Sequence, residues 1–191
     1  MNNRSLFARF VLIVAIVIPL ASCSAFDRLR ALRVIKDAHT QYQRGDYAAA
    51  SELYEEVLAN DPNLVDAYFY LANSYDQQFR PALRGEPEND QFLDLAIDNY
   101  IKSAEQQTGR PMQTLSMQYL VAAFGPDKAN EPRKSEPVLQ TMISTDPENP
   151  ENYFALSRLY EDSGLVAEAE EVLLDVAANN TDDAGVYLQV A

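Results

Sequence analysis

The chain has 191 residues, of which 29 are acidic and 15 are Lys or Arg, giving a formal net charge of −14. So acidic a chain repels phosphate backbones, whose binding depends on Lys and Arg, and this excludes nucleic acids as expected partners. The chain has six glycines and no tryptophan. Together with abundant Ala, Leu, Glu and Gln, these features favour helices over sheets and predict an all-α fold.

Residues 1–22 have the features of a cleaved signal peptide. Two arginines precede an apolar stretch, residues 10–20, which is shorter than the about 20 apolar residues of a membrane-spanning helix. The stretch leads into the run Leu20-Ala21-Ser22-Cys23. This run resembles the lipobox of bacterial lipoproteins, and the resemblance implies that Cys23 carries a covalent lipid at the mature N-terminus. An ordinary secretory signal and an N-terminal membrane anchor are the alternatives.

The lipoprotein resemblance also implies a location. Cleavage before Cys23 removes two arginines and no acidic residue, so the remaining 169 residues carry a formal charge of −16. In lipoproteins of Gram-negative bacteria, a residue other than Asp after the lipidated cysteine directs sorting to the outer membrane. Ser24 occupies that position. We therefore expect a protein tethered to the outer membrane and facing the periplasm, with the inner membrane as the alternative.

A basic segment follows a few residues after Cys23, in contrast to the acidity of the rest of the chain. Residues 23–30 are expected to form a lipidated N-terminus and short tether leading into the first helix. The segment contains Arg28, Arg30, Arg33 and Lys36. Each cation close to an anionic lipid surface contributes about 1 kcal/mol of attraction. The segment is expected to rest on lipid headgroups, and a routine charged helix face is the alternative.

A pattern of large, small and aromatic residues then recurs along the chain. Ala50-x-x-x-Tyr54 is followed by Asp61-Pro62 and by Leu71-Ala72-x-x-Tyr75, and Asp146-Pro147 is followed by Leu156-Ser157-x-x-Tyr160 and by Ala169. These spacings place each set on one face of a helix. The pattern resembles the tetratricopeptide repeat, a pair of helices A and B with a period of about 34 residues. The resemblance implies an α-α superhelix.

The pattern divides residues 31–183 into four repeats, at 31–64, 65–110, 111–149 and 150–183. Gly45 and Gly164 are predicted to end helices A, and Pro62 and Pro147 to stop helices B. The second repeat contains an insertion, residues 79–92, which we expect to be either a lip over the groove, with Arg80 and Arg84 as partner contacts, or a tolerated surface loop. In the third repeat, helix B is predicted to start near Ser135. Residues 184–191 predict a further helix, either a cap or the beginning of another repeat.

Catalytic patterns are missing from the sequence. The chain has one histidine and one cysteine, and it lacks zinc-binding, nucleophile-elbow and phosphate-loop motifs. Paired glutamates at helical spacing in an acidic chain are expected to be solvated. The sequence therefore predicts neither an enzyme nor a bound metal, and no cofactor besides the lipid on Cys23.

The expected functional surface is a groove, because ligands of tetratricopeptide repeat domains usually lie along the concave side formed by helices A. The helix-A positions that face the groove in this family correspond to ten residues of this chain. These are His39, Tyr42, Gln43, Phe69, Asn73, Asp76, Gln77, Phe154, Arg158 and Glu161. Aromatic rings with amides suit an extended peptide or a partner helix. For Tyr42 and Phe69, packing between subunits or between repeats is the alternative.

The lipobox-like N-terminus and the groove of the repeats together predict a lipid-anchored periplasmic adaptor that binds other proteins of the cell envelope. This expectation depends on analogy with the repeat architecture and does not select one envelope pathway. Two other functions stay open. The repeats could be the targeting arm of a longer enzyme, or the groove aromatics could receive a small ligand or a glycan.

Overall fold

The computed structural model describes residues 26–107, 109 and 111–179. This part of the chain contains eight α-helices, two short 3-10 helices and no strand, which confirms the predicted all-α class. The predicted leader, Cys23 and the segment 184–191 lie outside the described residues. Residues 26–30, which were expected to belong to a tether, are helical.

The helices follow one another with short connections. Helix α1 spans residues 26–43. The others are α2 Tyr47–Asn60, α3 Asp66–Asp76, α4 Pro87–Gln106, α5 Pro111–Phe124, α6 Glu136–Thr145, α7 Pro150–Asp162 and α8 Val166–Asn179. The 3-10 helices are Pro81–Leu83 and Pro132–Ser135. From α2 onward, each α-helix packs against the next one in the chain, as expected for a repeat array.

In chain order the helices can be grouped as the pairs α1/α2, α3/α4, α5/α6 and α7/α8. The largest core extends from α1 to α5 and centres on Tyr54 and Tyr100, both with no exposed surface. A second core joins α5, α6 and α7 around Met117, Leu139 and Leu156. Helix α5 contributes residues to both cores, and it therefore links the two halves of the array.

The turns within the first and last repeats form as predicted. Gly45 has a φ of 77° and Gly164 a φ of 74°, a left-handed backbone that glycine adopts without steric cost. Helix α2 then begins with Asp46 as its N-cap, whose carboxylate accepts from the Ala49 amide at 3.2 Å. The predicted stops are also confirmed, since α2 and α6 both end before an Asp-Pro pair.

The insertion of the second repeat differs from the expected stretch 79–92 because α4 begins at Pro87. Proline suits the first turn of a helix, and Glu88 and Asp90 there favour the helix dipole. The Asn89 side chain, 6% exposed, both accepts from the Arg80 amide at 2.8 Å and donates to the Arg80 carbonyl at 3.1 Å. The turn between α3 and α4 is therefore an ordered, hydrogen-bonded unit.

None of the helices in the part of the chain described here has the length and apolarity needed to cross a membrane.

Candidate functional site

The residues predicted to line the groove divide into three groups by their exposure. Gln43, Gln77, Arg158 and Glu161 are exposed, whereas His39, Tyr42 and Phe154 are half-buried. Phe69, Asn73 and Asp76 are each 5% exposed or less. These three side chains therefore pack beneath the face formed by α1, α3, α5 and α7, which we call the A-helix face, and do not present themselves to a ligand.

Aromatic rings connect the first three repeats across the A-helix face. Tyr70 on α3 contacts His39 and Tyr42 on α1, with ring centroids 4.8 and 5.2 Å apart. Phe69 continues the contact to Tyr119 on α5 at 5.5 Å, edge to face. Such pairs stabilise by about 0.5–1.5 kcal/mol beyond their buried area. The half-buried rings are thus held rigidly, with one side in the core and the other side facing solvent.

A buried chain of hydrogen bonds lies below these rings and crosses three repeats. The Tyr42 hydroxyl donates to Asn73 Oδ1 at 2.7 Å, and Asn73 Nδ2 donates to the Tyr100 hydroxyl at 3.1 Å. Tyr100 donates in turn to Asp76 Oδ2 at 3.4 Å. Lys128, in the α5–α6 connection, places Nζ 2.5 and 2.7 Å from the two Asp76 oxygens. Asp76 therefore fixes the third repeat against the second.

Three tyrosines of this hydrogen-bonded region, Tyr42, Tyr54 and Tyr100, are neutral at physiological pH. Burial raises the pKa of Tyr42 to about 12, and it raises the pKa values of Tyr54 and Tyr100 further. A neutral phenol remains a hydrogen-bond donor. The Tyr42 and Tyr100 hydroxyls therefore act as uncharged donors in the hydrogen bonds beneath the A-helix face.

Burial and a hydrogen bond with Tyr54 favour the neutral form of His39. The Tyr54 hydroxyl lies 2.6 Å from His39 Nδ1; in the neutral form Nδ1 can accept this hydrogen bond, which places the imidazole proton on Nε2. Burial lowers the pKa of His39 below its usual 6.5, and the nearby Asp66 carboxylate opposes this shift only in part. Protonation would remove the acceptor and charge a half-buried ring.

We expect His39 to make folding sensitive to mild acid. Because the His39 pKa is lower in the folded state, the unfolded chain binds more protons and stability is lost as the pH falls below about 6.5. Urea unfolding followed by circular dichroism at pH 7.5 and pH 5.5 measures this loss. The loss should be smaller in His39→Gln than in the natural chain, and an equal loss in both would contradict the assignment.

An apolar cleft lies on the side of the array away from the A-helix face, between α4, α5 and α6. Its volume is about 550 Å³, and its walls include Ile101, Met117, Leu120 and Val138. Arg133, Lys134 and Glu105 stand at its charged edge. Nothing in the sequence pattern predicted this cleft.

The described ranges also show how potential metal ligands are arranged. No group of three or more His, Cys, Asp or Glu residues there is arranged to hold a metal ion. The carboxylate with the tightest contacts, Asp76, is occupied by Lys128. The predicted lack of catalytic activity stays a prediction.

Several residues of the face could not be assigned from the groove register alone. Tyr70 and Tyr119 were missed, although each directly precedes the large leucine of its helix A, Leu71 and Leu120. Their shared position is the signal that could have found them. Lys128 carried no such signal, because its partner Asp76 lies 52 residues earlier in the chain.

The comparisons with known proteins agree with this architecture. Sequence models described as tetratricopeptide repeat match residues 36–100 and 128–189. No curated protein matches the chain in sequence.

Two solved structures share the fold. TTC0263, a tetratricopeptide repeat protein of Thermus thermophilus, is 20% identical over 80% of this chain and 75% of its own, with a TM-score of 0.50. YrrB, described as a tetratricopeptide repeat protein with an unusual peptide-binding site, is 16% identical over 84% of this chain and 74% of its own, with a TM-score of 0.53. The chain is therefore an all-α protein that contains tetratricopeptide repeats in both of its halves.

Proposed function

We propose that this chain is a membrane-tethered adaptor of the bacterial cell envelope, and that it binds a peptide or helical segment of a partner protein. The binding surface is the A-helix face, and the tether is a lipid on Cys23. The proposal rests on the half-buried aromatic rings of the A-helix face and on the lipobox-like sequence that precedes Cys23.

The observation that carries the binding role is the row of interlocked, half-buried rings across three repeats. His39, Tyr42, Tyr70 and Tyr119 are neither fully buried nor fully exposed. Tyr70 contacts His39 and Tyr42, and Tyr119 contacts Phe69, so the rings are positioned before any ligand arrives. A rigid aromatic surface loses little conformational entropy on binding, and such surfaces dominate the energetics of protein interfaces.

Exposed polar groups flank the rings and complete a surface for polypeptide. Gln43 and Gln77 extend from the ends of α1 and α3 and can satisfy both the N–H and the C=O groups of an extended chain. Arg158 and Glu161 are exposed on α7 and place one charge of each sign further along the array. YrrB, which shares the fold, is described as having a peptide-binding site, and this supports a peptide ligand at the level of the fold.

One of the two arginines of the insertion that were expected to contact a partner is bonded within the chain. Arg84 was a proposed partner contact, but its Nη1 donates to the Pro126 carbonyl at 2.8 Å within the chain. Arg84 therefore joins the α3–α4 turn to the α5–α6 connection. Arg80 is exposed and stays a candidate contact at this edge of the face.

Site-specific photocrosslinking in intact envelopes tests the binding surface. A photoreactive phenylalanine at Gln77 on the A-helix face should yield a discrete adduct with an envelope protein. Gln140 is the matched control, because it is an exposed glutamine on α6, away from that face. An adduct from Gln140 but not from Gln77 would contradict the proposed surface, as would identical adducts from both.

A second candidate function is a receptor for a small apolar ligand, and the α4–α5–α6 cleft is the observation that favours it. A cleft of about 550 Å³ lies within the usual range for small-molecule sites. The crosslinking experiment separates the two functions, since a receptor for a small ligand has no reason to give a protein adduct at Gln77.

A further inference from the structure

The first helix exposes large apolar side chains to solvent. Phe26, Leu29 and Leu32 of α1 are 69%, 67% and 48% exposed. With about 100° between successive helical residues, these three share about a third of the helix circumference with Arg33 and Lys36. The core residues Ala31 and Ala38, both with no exposed surface, lie on the opposite side. We call the five residues the outer face of α1.

The cations of α1 have two different roles. Arg30 donates to Glu56 on α2 at 2.7 Å, and Arg28 lies 3.8 Å from Asp61. These two arginines therefore contact acidic residues of their own repeat, and the expectation that all four basic residues rest on headgroups stays a prediction. Arg33 and Lys36 make no ion pair among the residues that the structure describes, and both are exposed on the outer face.

We propose that the outer face of α1 lies on an anionic lipid bilayer, with Phe26, Leu29 and Leu32 inserted among the headgroups and Arg33 and Lys36 paired with lipid phosphates. This combination of apolar side chains and cations is the pattern of a helix that lies in a membrane interface. Asp37 stands at the edge of the face and Asp27 on its core-facing side. The face itself carries no acidic residue.

Charge and distance favour lipid over a second copy of the chain. The chain has a net charge of −14, so a second copy would either bring the cations of two α1 helices together or place one acidic body against another. An anionic bilayer is attracted to the exposed Arg33 and Lys36 of this face. Phe26 is three residues after Cys23, a distance of about 10 Å in an extended chain. If Cys23 is lipidated, as the proposed function holds, α1 cannot leave the membrane surface.

Labelling in reconstituted vesicles tests this contact. The acylated protein has no free thiol, so Leu29→Cys and Leu174→Cys each introduce one site for an environment-sensitive fluorophore. Leu174 on α8 is the matched control, because it is a leucine that is 62% exposed. In vesicles of phosphatidylethanolamine and phosphatidylglycerol, we expect the label at position 29 to be blue-shifted and quenched by spin-labelled lipid, and the label at 174 to be unaffected.

The outcomes separate the possible occupants of the face. Equal solvent exposure at both positions would overturn the contact. Self-quenching at position 29 that grows with protein density, without quenching by lipid, would assign the face to a second copy and overturn the lipid proposal. Labelling of Cys23 itself would reveal that the anchor is missing, which is a failure of the proposed function and not of the face.

Charge variants test the role of the two cations. Replacing both Arg33→Gln and Lys36→Gln should weaken the association of α1 with anionic vesicles about 30-fold, from the attraction expected of two membrane-adjacent cations. The lipid quenching at position 29 should fall accordingly. The pair Arg133→Gln and Lys134→Gln removes the same charge from exposed positions beside the cleft and should leave the quenching unchanged. Equal effects of the two pairs would contradict the inference.

Discussion

Lys128→Met should destabilise the protein by about 3 kcal/mol, because it leaves the Asp76 carboxylate charged and uncompensated inside the protein. The Asp76 side chain is 2% exposed, and Lys128 Nζ contacts both of its oxygens. The Tyr100 hydroxyl, at 3.4 Å, is a weaker partner. The lysine side chain is 26% exposed, which places the expected loss at the lower end for buried pairs. Urea unfolding at pH 7 measures it.

Two further variants make this result specific. Lys134 pairs with Glu131 on the surface, with side chains 59% and 48% exposed, so Lys134→Met should cost less than about 1 kcal/mol. Adding Asp76→Asn to Lys128→Met should recover part of the lost stability, because a neutral amide tolerates burial better than an unpaired carboxylate. Equal losses for the two lysine variants, or no recovery in the double variant, would show that Asp76 is not stabilised by Lys128.

The Asp76–Lys128 pair also explains how the A-helix face keeps its shape. The hydrogen-bond chain from Tyr42 to Lys128 runs beneath the rings of α1, α3 and α5. Loss of its last member should loosen the position of the third repeat, and with it Tyr119. We therefore expect Lys128→Met to lower the yield of the Gln77 adduct even under conditions where the variant remains folded.

The elements fixed by local chemistry were predictable from the sequence. Gly45 and Gly164 mark the ends of helices A because left-handed backbone favours glycine, and both have positive φ. Proline after Asp61 and Asp146 marks the ends of helices B for an equally local reason. The repeat spacing placed Tyr54 and Leu71 on buried faces, and both are in the largest core.

The features that depend on distant partners were not predictable. Asp76 has the register of a groove residue, but it is buried because Lys128 reaches it across 52 positions of sequence. Arg30 has the appearance of a lipid-binding cation, but its partner is Glu56 on the next helix. The start of α4 was missed because the stretch 86–90 has the composition of a loop, whereas its proline and acidic residues in fact begin a helix.

Fatty-acid labelling and membrane fractionation of the Cys23→Ser variant test the tethered adaptor most directly. We expect this substitution to change the location of the protein more than any other variant named above. If Cys23 carries the lipid, the natural chain should be acylated in a Gram-negative host and recovered with the outer membrane. The serine variant should incorporate no labelled fatty acid and should lose its membrane attachment, while its helical content and urea midpoint stay unchanged. A serine variant that remained in the membrane fraction as completely as the natural chain would contradict the lipid tether.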